Sequence, residues 1–189
     1  MQKTLLYLHG FRSVGLCYKG KQIASFAPSS LTPNLSYIPQ LAISYAQSLI
    51  VEYGAENLCL VGSSLGGYYA TYLADKYAIK AVLINPVVNA YETLLPAIGR
   101  VLVPYTRESF FWDLSLVESL KQYFVEHIQS ELYCVLLQKG DKVLDYRIAK
   151  ERFRDCKCII QEGGSHRFED FLSQKDRILK WANSTKNHK

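Results

Sequence analysis

Gly62-Ser63-Ser64-Leu65-Gly66 is the stretch that decides the fold, because it matches the pattern GxSxG between an apolar run and a helical stretch. Residues 57–61 before it are typical of a short buried strand, and residues 68–77 after it are typical of a helix. In this context Gly62 and Gly66 let strand and helix approach closely, while Ser64 projects from the end of the strand. The alternative is a turn of small residues that caps a helix, and the pentapeptide alone leaves both open.

A serine hydroxyl needs a base to take its proton before it can act as a nucleophile at neutral pH. Three histidines follow Ser64 in the chain. His166 comes directly after an apolar run, 158–160, and before a helical stretch, 170–181, so we expect it in a loop after a late strand. It is the predicted base. The other two are His127, expected at or near the surface of an amphipathic helical stretch, 116–128, and His188, in a polar tail.

An acid that orients the base is expected after the preceding strand, here residues 132–138. Asp141 follows that strand beside a glycine that permits a tight turn, and it is our choice. Asp145 is the alternative, although its place before a helical stretch favours an N-cap role. The sequence therefore predicts Ser64, Asp141 and His166 as catalytic residues.

Two backbone amides are candidates to stabilise the negative oxygen of a tetrahedral intermediate. One is the amide of Leu65, directly after the serine, and the other is the amide of Phe11, in the loop after the first strand. Gly10 would let this loop fold closely over the site, and Arg12 is a less favoured second donor. Such a donor contributes roughly 3–4 kcal/mol in comparable hydrolases. His9 is expected to order the loop by hydrogen bonding rather than to act as the base.

Five separate motifs occur in order along nearly the whole chain. They are LLYLHGF at 5–11, GSSLGGYYA at 62–70, Asn85-Pro86, GDKVLDY at 140–146 and EGGSHRF at 162–168. Together they resemble the YqiA-like esterases, small bacterial members of the α/β-hydrolase superfamily. The resemblance implies hydrolysis of carboxylic esters or thioesters, and it supports Ser64, Asp141 and His166 as the catalytic triad.

Strand-like runs alternate with helical stretches, which is typical of a parallel sheet with helices on both faces. The 189 residues, 49% of them hydrophobic, suffice for one core, so we expect a single domain over 1–189. The prediction is a minimal α/β-hydrolase fold with a mostly parallel sheet of about six strands, and with the candidate site at the carboxyl ends of its strands. The predicted strands are 4–8, 36–38, 58–61, 81–84, 132–138 and 158–161.

The longest interval without a predicted strand, 87–130, is expected to form a small helical lid. Folded over Ser64, it could give an acyl chain an apolar wall. Each apolar side chain taken singly fits a helix packed on the sheet better, but as a set they indicate an apolar pocket. Pro96, Gly99 and Pro104 divide the interval into short pieces. Its apolar residues are Tyr91, Leu94, Leu95, Ile98, Val101, Leu102, Val103, Tyr105, Phe110, Phe111 and Trp112.

The composition argues against several other classes of protein. Five cysteines, an odd number with two inside predicted buried strands, make a disulfide framework unexpected, and no ligand spacing for a metal ion is present. Reduced thiols, with neither a signal peptide nor a membrane span, predict a cytoplasmic location. The net charge of +5 accompanies no nucleic-acid-binding module, and without a phosphate-binding loop no cofactor is expected. The oligomeric state is left open.

These observations favour a serine esterase or thioesterase that acts on small acyl substrates through an acyl-enzyme intermediate. A peptidase or lactonase with the same triad is an alternative, since pocket shape alone separates these substrates. A non-catalytic binding protein with this fold is an alternative of a different class.

Overall fold

A sheet of five parallel strands forms the centre of the computed structural model, which describes residues 2–184. Within those residues the strands are, in chain order, β1 (Thr4–Leu8), β2 (Leu58–Ser63), β3 (Ala81–Ile84), β4 (Gly99–Leu102), β5 (Ser109–Trp112), β6 (Tyr133–Gln138) and β7 (Lys157–Gln161). The central sheet has the order β1-β2-β3-β6-β7, and β4 pairs with β5 in a separate antiparallel hairpin. The chain therefore has the predicted α/β fold with a parallel sheet.

The α-helices of the described residues lie between these strands, except that α7 follows the last of them. They are α1 (Tyr18–Phe26), α2 (Pro39–Tyr53), α3 (Leu65–Tyr77), α4 (Ala90–Leu94), α5 (Leu114–Ser119), α6 (Tyr146–Arg152) and α7 (Lys175–Asn183). The predicted helix at 170–181 is a 3₁₀ turn, Phe171–Gln174, followed by α7. The helical prediction for 116–128 was too long, because α5 ends at Ser119 and a 3₁₀ turn, Leu120–Tyr123, follows it.

Both faces of the sheet are covered, which explains why its strands read as nearly continuous apolar runs. All six residues of β2 and all six of β6 are buried. Alternate residues of each strand point to opposite faces. Leu60 and Leu83 belong to the core beneath α2, α3 and α6, whereas Val61 and Ile84 belong to the core beneath α1 and α7.

The predicted strand at 36–38 was wrong, so the central sheet has five strands rather than about six. Of residues 2–184, Leu31 is the one that pairs with the free edge of β1: its amide donates to the carbonyl of Leu5, and its carbonyl accepts from the amide of Tyr7, both at 2.8 Å. Prolines at positions 33 and 39 flank the stretch that was expected to pair. Because proline has no N–H to donate, it opposes strand pairing there.

The interval 87–130 differs from the expected helical lid, because it contains the hairpin β4–β5. The paired residues run from Gly99 opposite Trp112 to Leu102 opposite Ser109. In β5 exposed and buried side chains alternate, with Phe110 and Trp112 buried, which is the two-residue period of a strand with one face covered.

Five free cysteines, the number in the whole sequence, agree with the expectation that the chain has no disulfide framework. Among residues 2–184 no helix has both the length and the apolar character needed to cross a bilayer.

Candidate active site

Ser64 occupies a sharp turn between the end of β2 and the start of α3. Its φ of +55° and ψ of −122° lie in a region that non-glycine residues rarely adopt. Such a conformation costs on the order of 1–3 kcal/mol and persists only where the surroundings hold it. Here the Ser64 amide donates to the carbonyl of Ile84 at 3.1 Å, and the Ser64 carbonyl accepts from the amides of Gly67 at 2.9 Å and Val87 at 3.1 Å.

Three glycines around Ser64 stand where a side chain would collide with the backbone or the serine. A Cβ atom on Gly66 would lie 2.0 Å from the carbonyl oxygen of Leu8, and one on Gly62 would lie 2.3 Å from the carbonyl oxygen of Gly66. A Cβ atom on Gly10 would lie 3.0 Å from the Cβ of Ser64. The close approach of β1, β2 and α3 therefore depends on the elbow glycines that the pattern indicated.

A continuous chain of hydrogen bonds joins Ser64, His166 and Asp141. His166 Nε2 is 3.1 Å from Ser64 Oγ, and His166 Nδ1 is 2.7 Å from Asp141 Oδ2. Because an ionised carboxylate only accepts, Nδ1 carries the proton of the neutral imidazole and Nε2 is left to accept from the serine hydroxyl. The structure thus brings together three side chains that are far apart in the sequence, in the arrangement that proton removal from a serine requires.

The carboxylate of Asp141 is almost fully buried, its side chain being 2% exposed. Burial alone would raise the pKa of Asp141, but hydrogen bonds from His166 and from the amides of Leu144 and Val143 outweigh it and lower that pKa below its ordinary value. The two amides donate to Oδ1 at 2.8 Å (Val143) and 2.9 Å (Leu144). One oxygen is therefore fixed by the backbone while the other faces the imidazole.

The alternative acid, Asp145, caps the N-terminus of α6, as its position before a helical stretch predicted. It accepts a hydrogen bond from the amide of Arg147 at 2.9 Å, and both of its oxygens contact the Arg147 guanidinium. Its carboxylate has no hydrogen bond to His166. Of the other histidines, His127 is exposed, as expected, and His188 lies outside the described residues.

Gln138, which sequence reasoning did not single out, anchors the loop that carries His166. This buried residue ends β6 and is 4% exposed. Its Oε1 accepts from the amides of Ser165 at 3.0 Å and Glu169 at 2.9 Å, and its Nε2 donates to the carbonyl of Glu169 at 2.8 Å and to Gln161 Oε1 at 3.0 Å. A polar residue at the end of an otherwise apolar strand was the signal available in the sequence.

Asn85 supports the same loop from the neighbouring strand. It follows β3 with a φ of +38°, and its Nδ2 donates to the carbonyl of Ser165 at 3.1 Å. Its Oδ1 accepts from the amide of Gln138 at 3.0 Å. Asn85 and Gln138 therefore form one network beneath His166, so we regard both as positioning residues rather than as groups that contact a substrate.

The amides of Phe11 and Leu65 are the candidate donors to a developing oxyanion. Leu65 is the first residue of α3, where the N–H has no carbonyl one turn before it. Within residues 2–184 neither amide donates to another protein group. Both are thus free to meet an oxygen from outside the chain.

His9 orders the loop before Phe11, as expected from its position. Its Nε2 accepts from the amide of Leu35 at 2.9 Å, so Nδ1 carries the proton and donates to the carbonyl of Gly10 at 2.9 Å. Burial lowers the pKa of His9, and the bond to Gly10 only partly offsets this effect. The imidazole therefore favours its neutral form.

The hairpin β4–β5 packs against the loop that carries Phe11. The Phe11 ring lies 4.9 Å from the Trp112 ring and 5.7 Å from the Phe110 ring, both edge to face, measured between centroids. Arg12 Nε donates to the carbonyl of Leu102 at 3.0 Å. Two cavities flank this loop, one of about 170 Å³ that Phe11 and Leu65 line together with the hairpin, and one of about 200 Å³ that Ser64 and His166 line.

Residues 4–183 match the model of the family described as uncharacterised protein family UPF0227. The chain belongs to this family. The match confirms the resemblance to the YqiA-like family that the five motifs indicated. The matched residues of this UPF0227 chain include the elbow, the loop after β6 and the loop that carries His166.

Solved structures that resemble the UPF0227 chain have the α/β-hydrolase fold. Alpha/beta hydrolase domain-containing protein 10 from mouse is 16% identical, with a TM-score of 0.70 over 95% of this chain and 88% of that one. Est1E from Butyrivibrio proteoclasticus, solved with ferulic acid bound, is 10% identical, with a TM-score of 0.70 over 95% and 87%. An alpha/beta superfamily hydrolase from Oenococcus oeni is 13% identical, with a TM-score of 0.63 over 97% and 94%. At these identities the likeness establishes the fold.

In the described part of the chain no three His, Cys, Asp or Glu side chains cluster in a way that could hold a metal ion.

Proposed function

We propose that this protein is a serine hydrolase that cleaves carboxylic esters or thioesters of small acyl substrates. The observation that carries the proposal is the hydrogen-bonded chain from Ser64 Oγ through His166 to Asp141, with distances of 3.1 and 2.7 Å. Its Ser64 end lies on a strained elbow, beside two amides that have no partner among the described residues.

The reaction begins when Ser64 Oγ attacks the acyl carbon and its proton passes to His166 Nε2. The carbonyl oxygen becomes negative, and the amides of Phe11 and Leu65 donate hydrogen bonds to it. The bond between the acyl carbon and the leaving oxygen or sulfur then breaks, and His166 gives that atom the proton. Water then attacks the acyl carbon of the acyl enzyme while His166 takes one of its protons. The bond between the acyl carbon and Ser64 Oγ breaks, the carboxylic acid leaves, and His166 returns the proton to Ser64 Oγ.

Asp141 supports each proton transfer by holding His166 in one tautomer and by offsetting the positive charge of the imidazolium. Its lowered pKa keeps the carboxylate ionised throughout the neutral range. We further propose that residues 1–189 form one domain, with the interval 87–130 as a cover over the acyl-binding side of the site.

The first experiment combines a fluorophosphonate probe with hydrolysis of 4-nitrophenyl butyrate. We expect the wild-type protein to be labelled and to release nitrophenol, and the folded Ser64→Ala variant to do neither. A folded wild-type protein that is inert in both assays, or a Ser64→Ala variant with full activity, would refute the proposal.

The two aspartates of the loop after β6 provide a matched pair. Asp141→Asn is expected to lower kcat by roughly 10³–10⁴-fold. An asparagine side chain is a poorer acceptor for the proton on His166 Nδ1, so His166 carries its proton on Nε2 instead and cannot accept the proton of Ser64. Asp145→Asn keeps an N-cap side chain and should change kcat by less than about threefold. A larger loss for Asp145→Asn than for Asp141→Asn would contradict the assignment of the acid.

A further inference from the structure

A cavity of about 200 Å³ opens onto Ser64 and His166, and its wall is unusually rich in positive charge. Lys19, Arg12 and Arg167 all line it, and no aspartate or glutamate of the described residues does. The second cavity, on the other side of Phe11, shares Arg12 with the first, but most of its wall differs and includes Tyr37, Phe110 and Glu108. The two sides of the candidate nucleophile therefore present different chemistry.

Lys19 is the most informative of the three cations because it is buried, with 8% of its surface exposed. Its Nζ donates to the carbonyl of Arg167 at 2.8 Å, and it forms no ion pair with a carboxylate between residues 2 and 184. Burial lowers the pKa of Lys19 to about 8, with a further decrease from Arg167 and opposing contributions from Cys17 and Asp141. At neutral pH most molecules thus retain a buried ammonium group.

The two arginines at the same cavity are fixed by contacts that leave their charge unbalanced. Arg12 is bound to the carbonyl of Leu102, and the Arg167 guanidinium lies 4.4 Å from the centre of the Tyr18 ring. Neither pairs with a carboxylate in the part of the chain that the structure describes. Three cations around one cavity repel one another, and an anion bound among them would relieve that repulsion.

Asp141, the acid whose charge acts on Lys19, does not neutralise it by direct contact. Its Oδ2 is bound to His166 and its Oδ1 to two backbone amides. The Cys17 thiol also lines the cavity and lies 3.3 Å from the Tyr7 hydroxyl. Burial alone would raise the pKa of Cys17, but hydrogen bonds, that with Tyr7 foremost, and the charge of Lys19 lower it. No carboxylate of residues 2–184 forms an ion pair with Lys19, so its ammonium group can pair with an anion that enters the cavity.

We propose that this cavity binds a carboxylate or phosphate on the leaving group of the substrate, and that Lys19 is the main residue that selects for it. The inference rests on the proposed function. The cavity that contains Lys19 is assigned to the leaving group because His166, which gives its proton to the leaving atom, lines this cavity and not the other one. The acyl group then occupies the cavity beside Phe11, Tyr37 and Phe110.

The test compares esters that differ only in the charge of the leaving group. They are 4-carboxyphenyl butyrate, 4-(phosphonooxy)phenyl butyrate and the neutral 4-carbamoylphenyl butyrate, each rate divided by that of hydroxide hydrolysis of the same ester. We expect wild-type kcat/KM to favour an anionic ester by roughly 10–100-fold, the range for a charge-assisted hydrogen bond. The anionic ester with the higher kcat/KM shows whether the cavity selects a carboxylate or a phosphate on the leaving group.

Lys19→Met, which keeps an unbranched side chain without the charge, should abolish most of this preference. Lys21→Met is the matched control, because Lys21 is an exposed lysine of the same helix and does not line the cavity. It should retain the wild-type ratio. Equal wild-type rates for anionic and neutral esters, or a Lys19→Met variant with the full preference, would overturn the inference.

A second measurement needs no variant and so remains decisive if Lys19→Met does not fold. In the wild-type protein, 4-hydroxybenzoate should inhibit hydrolysis of the neutral ester competitively, at a concentration at least about tenfold lower than 4-hydroxybenzamide does. Equal inhibition by the two compounds would contradict the inference. A failure of this inference can be told apart from a failure of the proposed function. If the protein is not a serine hydrolase, the neutral ester is not hydrolysed and the fluorophosphonate does not react.

Discussion

Replacing Gln138 by methionine is expected to loosen the loop that carries His166 while leaving the sheet intact. Methionine has nearly the same length and shape as glutamine, so β6 and its neighbours remain packed. The change removes the side-chain oxygen and nitrogen that bind the backbone of Ser165 and Glu169. The loop must then satisfy these groups with water or leave them unpaired.

The size of the effect follows from the number of bonds lost. Two amides and one carbonyl of the loop bind the Gln138 side chain, and each such bond contributes about 1 kcal/mol net. A fourth bond, to Gln161 Oε1, is lost as well, so the expected loss in the free energy of unfolding is about 4 kcal/mol, of which about 3 kcal/mol concerns the loop. That loss of about 3 kcal/mol in the loop changes the ratio of closed to open loop by roughly 100-fold.

Three measurements report on this change. Urea unfolding gives the loss of stability, and hydrogen exchange should accelerate at the amides of Ser165 and Glu169. Steady-state hydrolysis of a neutral ester should show a lower kcat with a nearly unchanged KM, because the loop positions His166 and lines the cavity of Lys19 rather than the acyl cavity.

Gln161→Met is the matched control. It removes only the bond between the Gln138 and Gln161 side chains and should cost about 1 kcal/mol or less, with no change in exchange at Ser165. If Gln138→Met is no less stable than Gln161→Met and exchanges at the same rate, Gln138 does not anchor the loop.

Two further predictions concern the elbow and its neighbouring loop. A Gly→Ala substitution in a helix ordinarily stabilises it by about 0.5–1 kcal/mol. In Gly66→Ala, however, the new Cβ would lie 2.0 Å from the carbonyl oxygen of Leu8. We therefore expect urea unfolding to show that the free energy of unfolding falls by at least about 2 kcal/mol. Folding lowers the pKa of His9. The contribution of His9 to stability is therefore complete above the pKa of about 6.5 that it has in the unfolded chain, and it is lost as the pH falls towards the pKa of the folded state. As the pH is lowered from about 7.5 to about 5.5, the free energy of unfolding should decrease more steeply in the wild type than in His9→Gln. This variant keeps an acceptor for the amide of Leu35. Equal slopes in the two proteins would contradict a role of His9 in the pH dependence.

The central sheet and its loops were predictable because their sequence signals are local. A parallel strand covered on both faces is a continuous apolar run, so β2 and β6 were recognisable from hydrophobicity alone. The residues after such strands meet at one edge of the sheet. This rule led to His166 and to the loop after β6, and the N-cap position of Asp145 then favoured Asp141, whose side chain the structure brings within 2.7 Å of His166.

The hairpin and the loop anchors were not predictable, for physical reasons. Strands β4 and β5 have four residues each. Strand β4 begins at Gly99 and Pro104 follows it closely, and both residue types are local signals of a turn rather than of a strand. Gln138 gains its role from partners 27 and 31 residues later in the chain. No local pattern reports such distant hydrogen bonds. Similarly, the pairing of Leu31 with β1 depends on a single residue at a sheet edge.

The turn of the hairpin, residues 103–108, has a consequence for how this protein can acquire new substrates. Val103, Thr106 and Glu108 line the cavity beside Phe11, while Tyr105 lines the cavity beside Lys19. Four of these six consecutive residues thus line the two proposed halves of the substrate site, and none belongs to the sheet that holds Ser64, Asp141 and His166. Natural divergence or laboratory evolution can therefore vary this turn while the reaction centre is inherited unchanged.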